Sequence, residues 1–205
     1  MYFTVRRIIR LVFPLIAKLE YSGLDNIPEP PYLLAMNHLS AFDAPTILTM
    51  FPHRVRALAA AKHKKNPVYA PLLWMMNVVW VERGEVDRQA LRESLEVLRE
   101  GGVLGIAPEG TRSRENHALQ AARVGAAYLA TRADVPIVPV GLWGTEKVGE
   151  NLRRLRRTEI YGVVGEPFRL PESGRVSKEA LQEYSALIMR RIAELLPQEY
   201  RGIYG

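Results

Sequence analysis

Residues 32–43, with the sequence YLLAMNHLSAFD, predict the arrangement around which the rest of the chain is built. The first five residues form an apolar run with the length of a buried strand. Pro45 follows closely; proline is welcome in the first turn of a helix, and it keeps the preceding residue out of the helical region. The stretch is therefore predicted to be a strand that turns into a helix near Pro45, with His38 and Asp43 in the turn.

Strand and helix patterns alternate along the rest of the chain. Apolar runs predict strands at 55–61, 78–81, 103–106, 135–142 and 159–164. Helices are predicted at about 68–76, 87–101, 119–131 and 178–196, the second of them capped by Asp87 and stopped by two glycines. This alternation is typical of an α/β domain with a mainly parallel sheet flanked by helices.

Length and composition narrow the class of protein. A chain of 205 residues with 48% hydrophobic residues is predicted to form one domain with a real core. It contains no cysteine, which excludes disulfides, thiolate metal sites and a cysteine nucleophile. His53, His63 and His117 lack the spacing of metal ligands, so no metal site is predicted.

The first 20 residues are predicted to be an amphipathic helical segment, followed by the α/β domain at 21–205. Residues 1–19 carry an apolar arc opposite a narrow basic stripe, and Pro14 is expected to kink or split the helix. The longest uncharged run, 11–17, is far shorter than the roughly 20 residues that cross a bilayer. The segment fits a helix lying in a membrane interface, or equally a helix that packs its apolar arc on its own domain.

The net charge of +6 lies in two zones. Residues 1–20 carry +3, residues 145–157 carry another +3, and the rest of the chain is neutral. Concentrated basic zones indicate a polyanionic partner, either lipid headgroups or nucleic acid. Nucleic acid is disfavoured because no recognised nucleic-acid module accompanies the charge.

His38 and Asp43 are candidates for a general-base pair. On a regular helix their spacing would rotate the two side chains apart by about 140°, whereas a strand-to-helix turn can bring them together. Asp43 would then accept a hydrogen bond from one imidazole nitrogen while the other nitrogen takes a proton. The alternatives are a satisfied turn histidine and an aspartate that caps the helix.

Two further groups of side chains follow predicted strand ends. Glu109, Gly110, Thr111 and Arg112 form a loop that can cradle a phosphate or a diol, unless it is an ordinary surface turn. Arg83 is a second candidate phosphate contact, or a solvated charge at a strand end. If the strands run parallel, all three loops share one edge of the sheet, where ligand sites gather.

Four blocks in the chain resemble a known family when they are taken in order. They are Asn37-His38-x4-Asp43, Arg83 after a valine-rich strand, Pro108-Glu109-Gly110-Thr111-Arg112-Ser113, and Val135-Pro136-Ile137-Val138-Pro139-Val140. Over roughly residues 20–165 they closely resemble the glycerophospholipid acyltransferases, specifically the 1-acyl-glycerol-3-phosphate (lysophosphatidate) acyltransferases.

The resemblance implies a direct acyl transfer that forms phosphatidic acid. His38 would deprotonate the free hydroxyl of 1-acyl-glycerol-3-phosphate, which attacks the thioester of acyl-CoA or acyl-carrier protein, while Asp43 orients His38. The implied substrate-binding residues are Asn37, Arg83, Glu109, Gly110, Thr111 and Arg112. No cofactor beyond the acyl donor is expected, and the protein is expected at the cytoplasmic face of a membrane with anionic lipid.

The chain departs from the family pattern in three places. Ala107 stands where phenylalanine is usual, Asn77 where a glycine often precedes the second strand, and Glu82-Arg83 replaces the commoner aspartate-arginine. These departures leave the acceptor open, so glycerol 3-phosphate, a lysophospholipid, an aminolipid or a glycolipid is an alternative. A lipid hydrolase and a non-catalytic binder of anionic lipid are alternatives of other classes. The hydrolase is disfavoured because the chain has no G-x-S-x-G nucleophile elbow, which also argues against a covalent acyl-enzyme.

Overall fold

A computed structural model describes residues 2–67, 70–82, 87–113 and 116–205, and within them seven strands form one sheet. The strands are β1 (Ala17–Ser22), β2 (Tyr32–Met36), β3 (Val55–Ala60), β4 (Val79–Val81), β5 (Val103–Ile106), β6 (Ile137–Trp143) and β7 (Thr158–Val164). Their order across the sheet is β1-β7-β6-β2-β5-β3-β4. β2 to β6 run parallel to one another, while β7 is antiparallel to β6 and β1 is parallel to β7. The predicted α/β fold with a mainly parallel sheet is confirmed.

The helices lie on both faces of the sheet. They are α1 (Tyr2–Ile16), α2 (Asp43–Met50), α3 (Ala70–Met75), α4 (Arg88–Arg99), α5 (Gly125–Ala133), α6 (Val148–Arg153) and α7 (Lys178–Ala193). α4, α5 and α7 pack on one face around Leu33 and Leu104, and α2 packs on the other around Tyr32 and Leu34. Successive side chains of a strand point to opposite faces, and helices cover both faces of the sheet at β2. The first four residues of β2 are therefore all buried.

β2 holds the catalytic candidates at the centre of the sheet. It lies between β5 and β6, with Leu33 opposite Leu104 on one side and Ile137 on the other. A strand that is buried on both faces reads as a continuous apolar run, as residues 32–36 do. The position of the turn after Met36 is therefore fixed from both sides of the strand.

The N-terminal helix is shorter than predicted, and a strand follows it. α1 ends at Ile16, and residues 17–22 pair with β7, so the helical segment predicted over residues 1–20 is wrong over its last four residues. Lys18 and Glu20 are exposed on β1 while the alternate positions lie inward, which is the two-residue period of a strand. Pro14 does not split α1, because it lies in the last turn of the helix.

One face of α1 is buried against the domain and the other is exposed. Tyr2, Val5 and Phe13 are buried against the domain, and the Arg6 guanidinium donates to the carbonyl oxygens of Leu48 and Pro52 near the end of α2. The other face leaves apolar side chains exposed, namely Phe3, Ile8, Leu11, Val12 and Leu15. In the described parts of the chain, no helix is both long and apolar enough to cross a bilayer.

α5 also begins later than predicted, at Gly125 instead of near Leu119. The backbone N–H groups of Leu119, Gln120 and Arg123 donate to Tyr200, Glu109 and Pro108 respectively. These tertiary hydrogen bonds hold the segment in an extended loop, which a pattern of small residues does not reveal. The short α6 was not predicted; it lies inside the basic connection at 145–157.

Candidate active site

Because β2 to β6 are parallel, their carboxyl ends lie along one edge of the sheet, which we call the rim. The loop after β2 carries His38, the loop after β5 carries Glu109 to Ser113, and the loop after β6 carries Thr145. The expected convergence of the first two loops is confirmed, since the backbone N–H of Ser113 donates to the His38 carbonyl at 2.8 Å. Arg83 lies outside the described residues.

The structure brings His38 and Asp43 into direct contact. The Nδ1 atom of His38 lies 2.6 Å from Oδ2 of Asp43. Asp43 is the first residue of α2, so its carboxylate lies at the positive end of the helix dipole. The strand-to-helix turn thus gives the two side chains the geometry of an imidazole held by a carboxylate.

Asp43 is held by protein donors on all sides. Its side chain is 0% exposed, and Oδ2 also accepts from the backbone N–H groups of Leu39 and Ser40 at 2.8 and 3.0 Å. The Thr145 hydroxyl donates to the other carboxylate oxygen. Charge-assisted bonds of this kind stabilise an ionised carboxylate and fix its orientation. The carboxylate can therefore hold the His38 ring in one position.

Arg112 defines the tautomer of His38. Its Nε–H group lies 3.4 Å from His38 Nε2 in donating geometry. A nitrogen that accepts a hydrogen bond carries a lone pair, so the ring proton resides on Nδ1, facing Asp43. Nε2 is then the atom that can take a proton from a substrate.

Glu109, predicted to bind substrate, points into the protein. Its buried carboxylate accepts from the His38 backbone N–H, the Ser113 hydroxyl and the Gln120 backbone N–H. Burial raises the pKa of the Glu109 carboxyl, and the bonds from Ser113, Gln120 and His38 oppose that shift. With its oxygens engaged by three donors, Glu109 holds the two rim loops together instead of facing a ligand.

Asn37, the other buried member of the predicted binding set, is also engaged internally. Its amide nitrogen donates to the Leu142 carbonyl, and its amide oxygen accepts from the Leu142 N–H, each at 2.8 Å. These bonds continue the pairing of β2 with β6 past the end of the ladder. Asn37 therefore positions the residue that follows it, His38.

Gly110, Thr111 and Arg112 form the outer part of the rim loop. Gly110 has φ +70°, and a Cβ atom there would lie 2.7 Å from the Cδ atom of Arg123. The positive φ favours glycine, while the flexible Arg123 side chain would have to shift to admit a Cβ atom. Thr111 and Arg112 are half-buried, so this part of the loop remains accessible beside the imidazole.

Sequence reasoning missed Thr145, Ser113 and Arg123 as members of the site. Ser113 ends the Pro108–Ser113 motif, and Thr145 begins a segment whose sequence stands out only for its basic charge. Thr145 follows β6 directly, and the fact that β6 neighbours β2 is the signal that could have found it. Recognising that β6 lies next to β2 requires the strand order, which residue patterns alone do not supply.

A cavity of about 1010 Å³ adjoins the rim, with mostly apolar walls and charged side chains such as Arg88, Arg92 and Arg123 around it, and His38 is one of its lining residues. It runs between the sheet and helices α4 and α5. Its apolar walls include Leu58, Leu91, Leu95, Ile106 and Leu129. Cavities of this size and character are typical of sites for small apolar ligands. Among the described residues, no group of three side chains is arranged to hold a metal ion.

The fold and the site together define a family. The model of the family described as "Acyltransferase" matches residues 18–143, well over half of the chain. The chain belongs to this acyltransferase family. The match includes the His38–Asp43 turn, the 109–113 loop and β6.

Several curated relatives carry the name 1-acyl-sn-glycerol-3-phosphate acyltransferase. The chain is 23% identical over 198 residues to the 1-acyl-sn-glycerol-3-phosphate acyltransferase of Bacillus subtilis, covering 95% of this chain and 96% of that protein. It is 30% identical over 135 residues to a chloroplastic 1-acyl-sn-glycerol-3-phosphate acyltransferase of Brassica napus, a match that spans 64% of this chain but only 39% of that protein.

A solved structure extends the likeness to three dimensions. The crystal structure of the 1-acyl-sn-glycerophosphate (LPA) acyltransferase PlsC from Thermotoga maritima superposes with a TM-score of 0.71 and 26% identity. The superposition covers 95% of this chain and 79% of the other.

Proposed function

We propose that the protein transfers a fatty acyl group from acyl-CoA or acyl-carrier protein to the free hydroxyl of 1-acyl-glycerol-3-phosphate, forming phosphatidic acid. The observation that carries the proposal is the 2.6 Å contact between His38 and Asp43 at a cavity with apolar walls. The names of the relatives support the acceptor. No cofactor besides the acyl donor takes part.

His38 acts as a general base in a direct transfer. Its Nε2 atom takes the proton of the acceptor hydroxyl as the hydroxyl oxygen bonds to the thioester carbonyl carbon. The carbon–sulfur bond then breaks, and the imidazolium returns the proton to the departing thiolate. Asp43 stabilises the imidazolium throughout. General-base assistance of this kind contributes about 10²–10⁴-fold to a rate.

The acceptor phosphate lies near Arg112. A guanidinium binds phosphate with two parallel hydrogen bonds, and Arg112 is the cation beside His38 Nε2. When a substrate phosphate draws Arg112 away, Nε2 is left free to accept the hydroxyl proton. Arg83 is a second phosphate contact by resemblance, and Gly110 and Thr111 line the approach. Asn37 and Glu109 position this loop without touching the acceptor.

The acyl chain of the donor occupies the apolar cavity. Burying a chain there removes its methylene groups from water, at about 0.8 kcal/mol for each CH₂. The cavity begins at the base, so a chain inside it places its carbonyl carbon next to the hydroxyl that His38 activates. The length of chain that fits is set by the walls of α4 and α5.

The enzyme works as a peripheral protein at the cytoplasmic face of a membrane. The exposed apolar side chains of α1 lie in the lipid interface, while its inner face stays on the domain. Both the acceptor and the product are lipids, so this placement brings the rim to its substrate. The partners are an anionic membrane surface, the lysophospholipid and the acyl donor, without nucleic acid.

Replacing His38 by alanine tests the mechanism. We expect His38→Ala to abolish transfer of a radiolabelled acyl group to 1-acyl-glycerol-3-phosphate, because the acceptor hydroxyl loses its base. His53→Ala is the matched control, since His53 contacts Tyr32 at the opposite end of β2. Normal transfer by His38→Ala would refute the mechanism.

The same assay distinguishes the alternatives. Release of free fatty acid without transfer would identify a hydrolase, and wild-type protein that binds vesicles without either reaction would identify a lipid-binding protein. A panel of lyso-acceptors, with glycerol 3-phosphate included, identifies the acceptor by the largest kcat/KM.

A further inference from the structure

The end of α6 carries exposed leucines among arginines. Leu155 is 94% exposed and Leu152 is 45% exposed. Arg153, Arg154 and Arg156 alternate with them and are also exposed. Arg154 pairs with Glu150 at 2.8 Å, whereas Arg153 and Arg156 form no ion pair with any described residue. We call residues 152–156 the Leu155 loop.

The backbone of this loop is held in a strained form. Leu155 has φ +52°, in the left-handed region that bulky residues avoid. The N–H groups of Leu155 and Arg156 donate to the carbonyls of Leu152 and Asn151, which is the hydrogen-bond pattern of a Schellman motif. That motif usually places glycine where Leu155 stands.

A second helix of the same chain provides the comparison. α4 ends in the same pair of hydrogen bonds, and there the left-handed residue is Gly101. A non-glycine residue in this conformation costs about 1–2 kcal/mol. No described side chain packs around Leu155 to offset that cost, because the residue is almost wholly in solvent. The side chain therefore has no role inside the domain.

The Leu155 loop lies at the rim, next to the end of α1. β7 starts where β6 ends because the two strands are antiparallel, so the residues just before Thr158 lie at the rim. The Arg157 guanidinium donates to the carbonyls of Pro14 and Ala17 at 2.9 and 3.1 Å. These bonds connect the loop to the C-terminal end of α1, where Leu11 and Leu15 are exposed.

We propose that the Leu155 loop is a second membrane contact, in which Leu155 enters the acyl region of an anionic phospholipid bilayer while Arg153 and Arg156 bind headgroup phosphates. The inference rests on the membrane attachment assigned to the protein under its proposed function. Charge complementarity selects the partner, since exposed leucines between unpaired arginines match an apolar layer beneath negative headgroups. With α1, the loop holds the rim against the bilayer at two points.

A single thiol tests the insertion directly. The chain contains no cysteine, so Leu155→Cys can be labelled with a polarity-sensitive fluorophore at that position alone. We expect a blue shift on vesicles of phosphatidylglycerol and phosphatidylcholine, and quenching by nitroxide-labelled acyl chains. Leu24→Cys is the control, because Leu24 is 41% exposed just after β1, at the end of the sheet opposite the rim. Equal spectra for the two labelled variants would overturn the proposal.

Substitutions measure the contribution of the loop. Leu155→Gly suits the left-handed backbone, so it keeps the fold, yet it should weaken vesicle binding on the order of tenfold. Arg153→Gln with Arg156→Gln should weaken binding to anionic vesicles by a similar factor, but not binding to pure phosphatidylcholine. The control is Arg175→Gln with Arg190→Gln, which removes the same charge from exposed positions outside the loop.

Transfer assays separate this inference from the proposed function. With acceptor and a short-chain donor dispersed below their micellar concentrations, the loop variants should retain wild-type kcat. A wild-type protein without transferase activity would refute the proposed function, and the vesicle data would still test the membrane contact of the Leu155 loop. Unchanged vesicle binding by both loop variants would refute that membrane contact. Conversion of a wild-type dimer to a monomer by Leu155→Gly, measured by sedimentation, would refute it too, because the occupant would then be a second copy of the chain.

Discussion

At the scale of single residues, the Asp43 carboxylate is the most heavily bonded group of the site. Three of its four donors come from residues 38–40, and only the Thr145 hydroxyl comes from another strand end. That hydroxyl ties the His38–Asp43 pair to the loop after β6. We therefore regard Thr145 as a residue that positions Asp43 without contacting substrate.

Thr145→Val is expected to lower both stability and activity. The substitution keeps the side-chain shape and removes one hydrogen bond to a charged group, a loss of about 1.5–3 kcal/mol in the free energy of unfolding. A carboxylate with one fewer anchor holds His38 less well, so kcat should fall on the order of tenfold, with the KM for the acceptor unchanged. Urea unfolding and steady-state kinetics give the two quantities.

Thr145→Ser is the control for this prediction, because it keeps the hydroxyl and deletes only a methyl group. It should retain most of the wild-type kcat. Equal losses of kcat in the serine and valine variants would mean that packing, and not the hydrogen bond, matters at this position.

Glu109 should make stability depend on pH in mildly acidic solution. Burial raises the pKa of its carboxyl in the folded protein above the usual 4.5. Between these two pKa values, the folded protein holds a proton that the unfolded chain has released. The contribution of Glu109 to the free energy of unfolding therefore falls as the pH rises from the unfolded pKa to the folded pKa. Urea unfolding between pH 4 and 7 should show the wild type losing stability relative to Glu109→Gln as the pH rises. Parallel curves would contradict the assignment.

The residue patterns predicted the roles of the reacting groups better than the roles of the residues beside them. His38 and Asp43 could be predicted because a proline and an apolar run fix the turn between them. Asn37 and Glu109 belong to the same motifs, yet they point inward, since hydrogen bonds to Leu142, Ser113 and Gln120 take up their polar atoms. Sequence spacing places a residue in a loop but does not say which side of the loop its side chain faces.

At the scale of elements, α1 packs one face on the domain and leaves an apolar face exposed, so the two readings of its sequence are compatible. Arg6 looks like part of a basic surface, but it is buried and bonds the end of α2. Phe13 stacks near Phe42, the residue before Asp43, with ring centroids 6.5 Å apart. The inner face of α1 thus supports the catalytic turn, and its outer face is available to lipid.

Substitutions on the two faces should separate these roles. Leu11→Ser with Leu15→Ser should weaken binding to anionic vesicles on the order of tenfold or more, while the free energy of unfolding changes by no more than about 0.5 kcal/mol. Phe13→Ala should instead lower the free energy of unfolding by about 3–5 kcal/mol. Vesicle sedimentation and urea unfolding of the same samples provide the test.

The opposite pattern, with vesicle binding intact in the double serine variant, would show that α1 serves only the domain. These point changes are preferable to deleting residues 1–19. Such a deletion would also remove half of β1 and so its pairing with β7.

Elements with a strong internal pattern were predicted well, and those fixed by distant contacts were not. β2 and β5 match their predicted bounds because both are apolar runs between turn residues. β1 alternates correctly, but it follows an apolar helix directly, so the change of period was not recognised. The start of α5 depends on three tertiary hydrogen bonds, which leave no trace in the local sequence.

At the scale of the whole molecule, the second basic zone lies beside the C-terminal end of α1, whereas Arg6 and Arg10 of the first zone donate to carbonyls near the end of α2, away from the rim. Residues 145–157 and the end of α1 lie side by side at the rim through the bonds of Arg157. A charge map of the sequence finds the basic zones, but only the strand order places residues 145–157 at the rim. If the proposed membrane contact is right, the surface that meets the bilayer adjoins the surface that opens to substrate.

The proposed membrane contact is expected to be sensitive to salt, because the arginines before β7 are exposed. Binding to vesicles with phosphatidylglycerol should weaken severalfold as the ionic strength rises from 0.05 to 0.5 M, because the Debye length falls from roughly 14 to 4 Å. Binding that does not change with salt would leave only the apolar contacts of α1 and Leu155. Flotation of vesicles at a series of sodium chloride concentrations measures the effect.

The pairing of β1 with β7 has a consequence for the synthesis of the protein. Ala17 pairs with Thr158, so β1 cannot pair with β7 until about 140 further residues have been made. At 5–20 residues per second, that interval lasts roughly 7 to 28 seconds. The inner face of α1 can pack earlier, because its partners Leu48, Met76 and Val78 are made long before Thr158. The outer apolar face is exposed throughout that time, so a lipid surface near the ribosome could bind it before the sheet is complete.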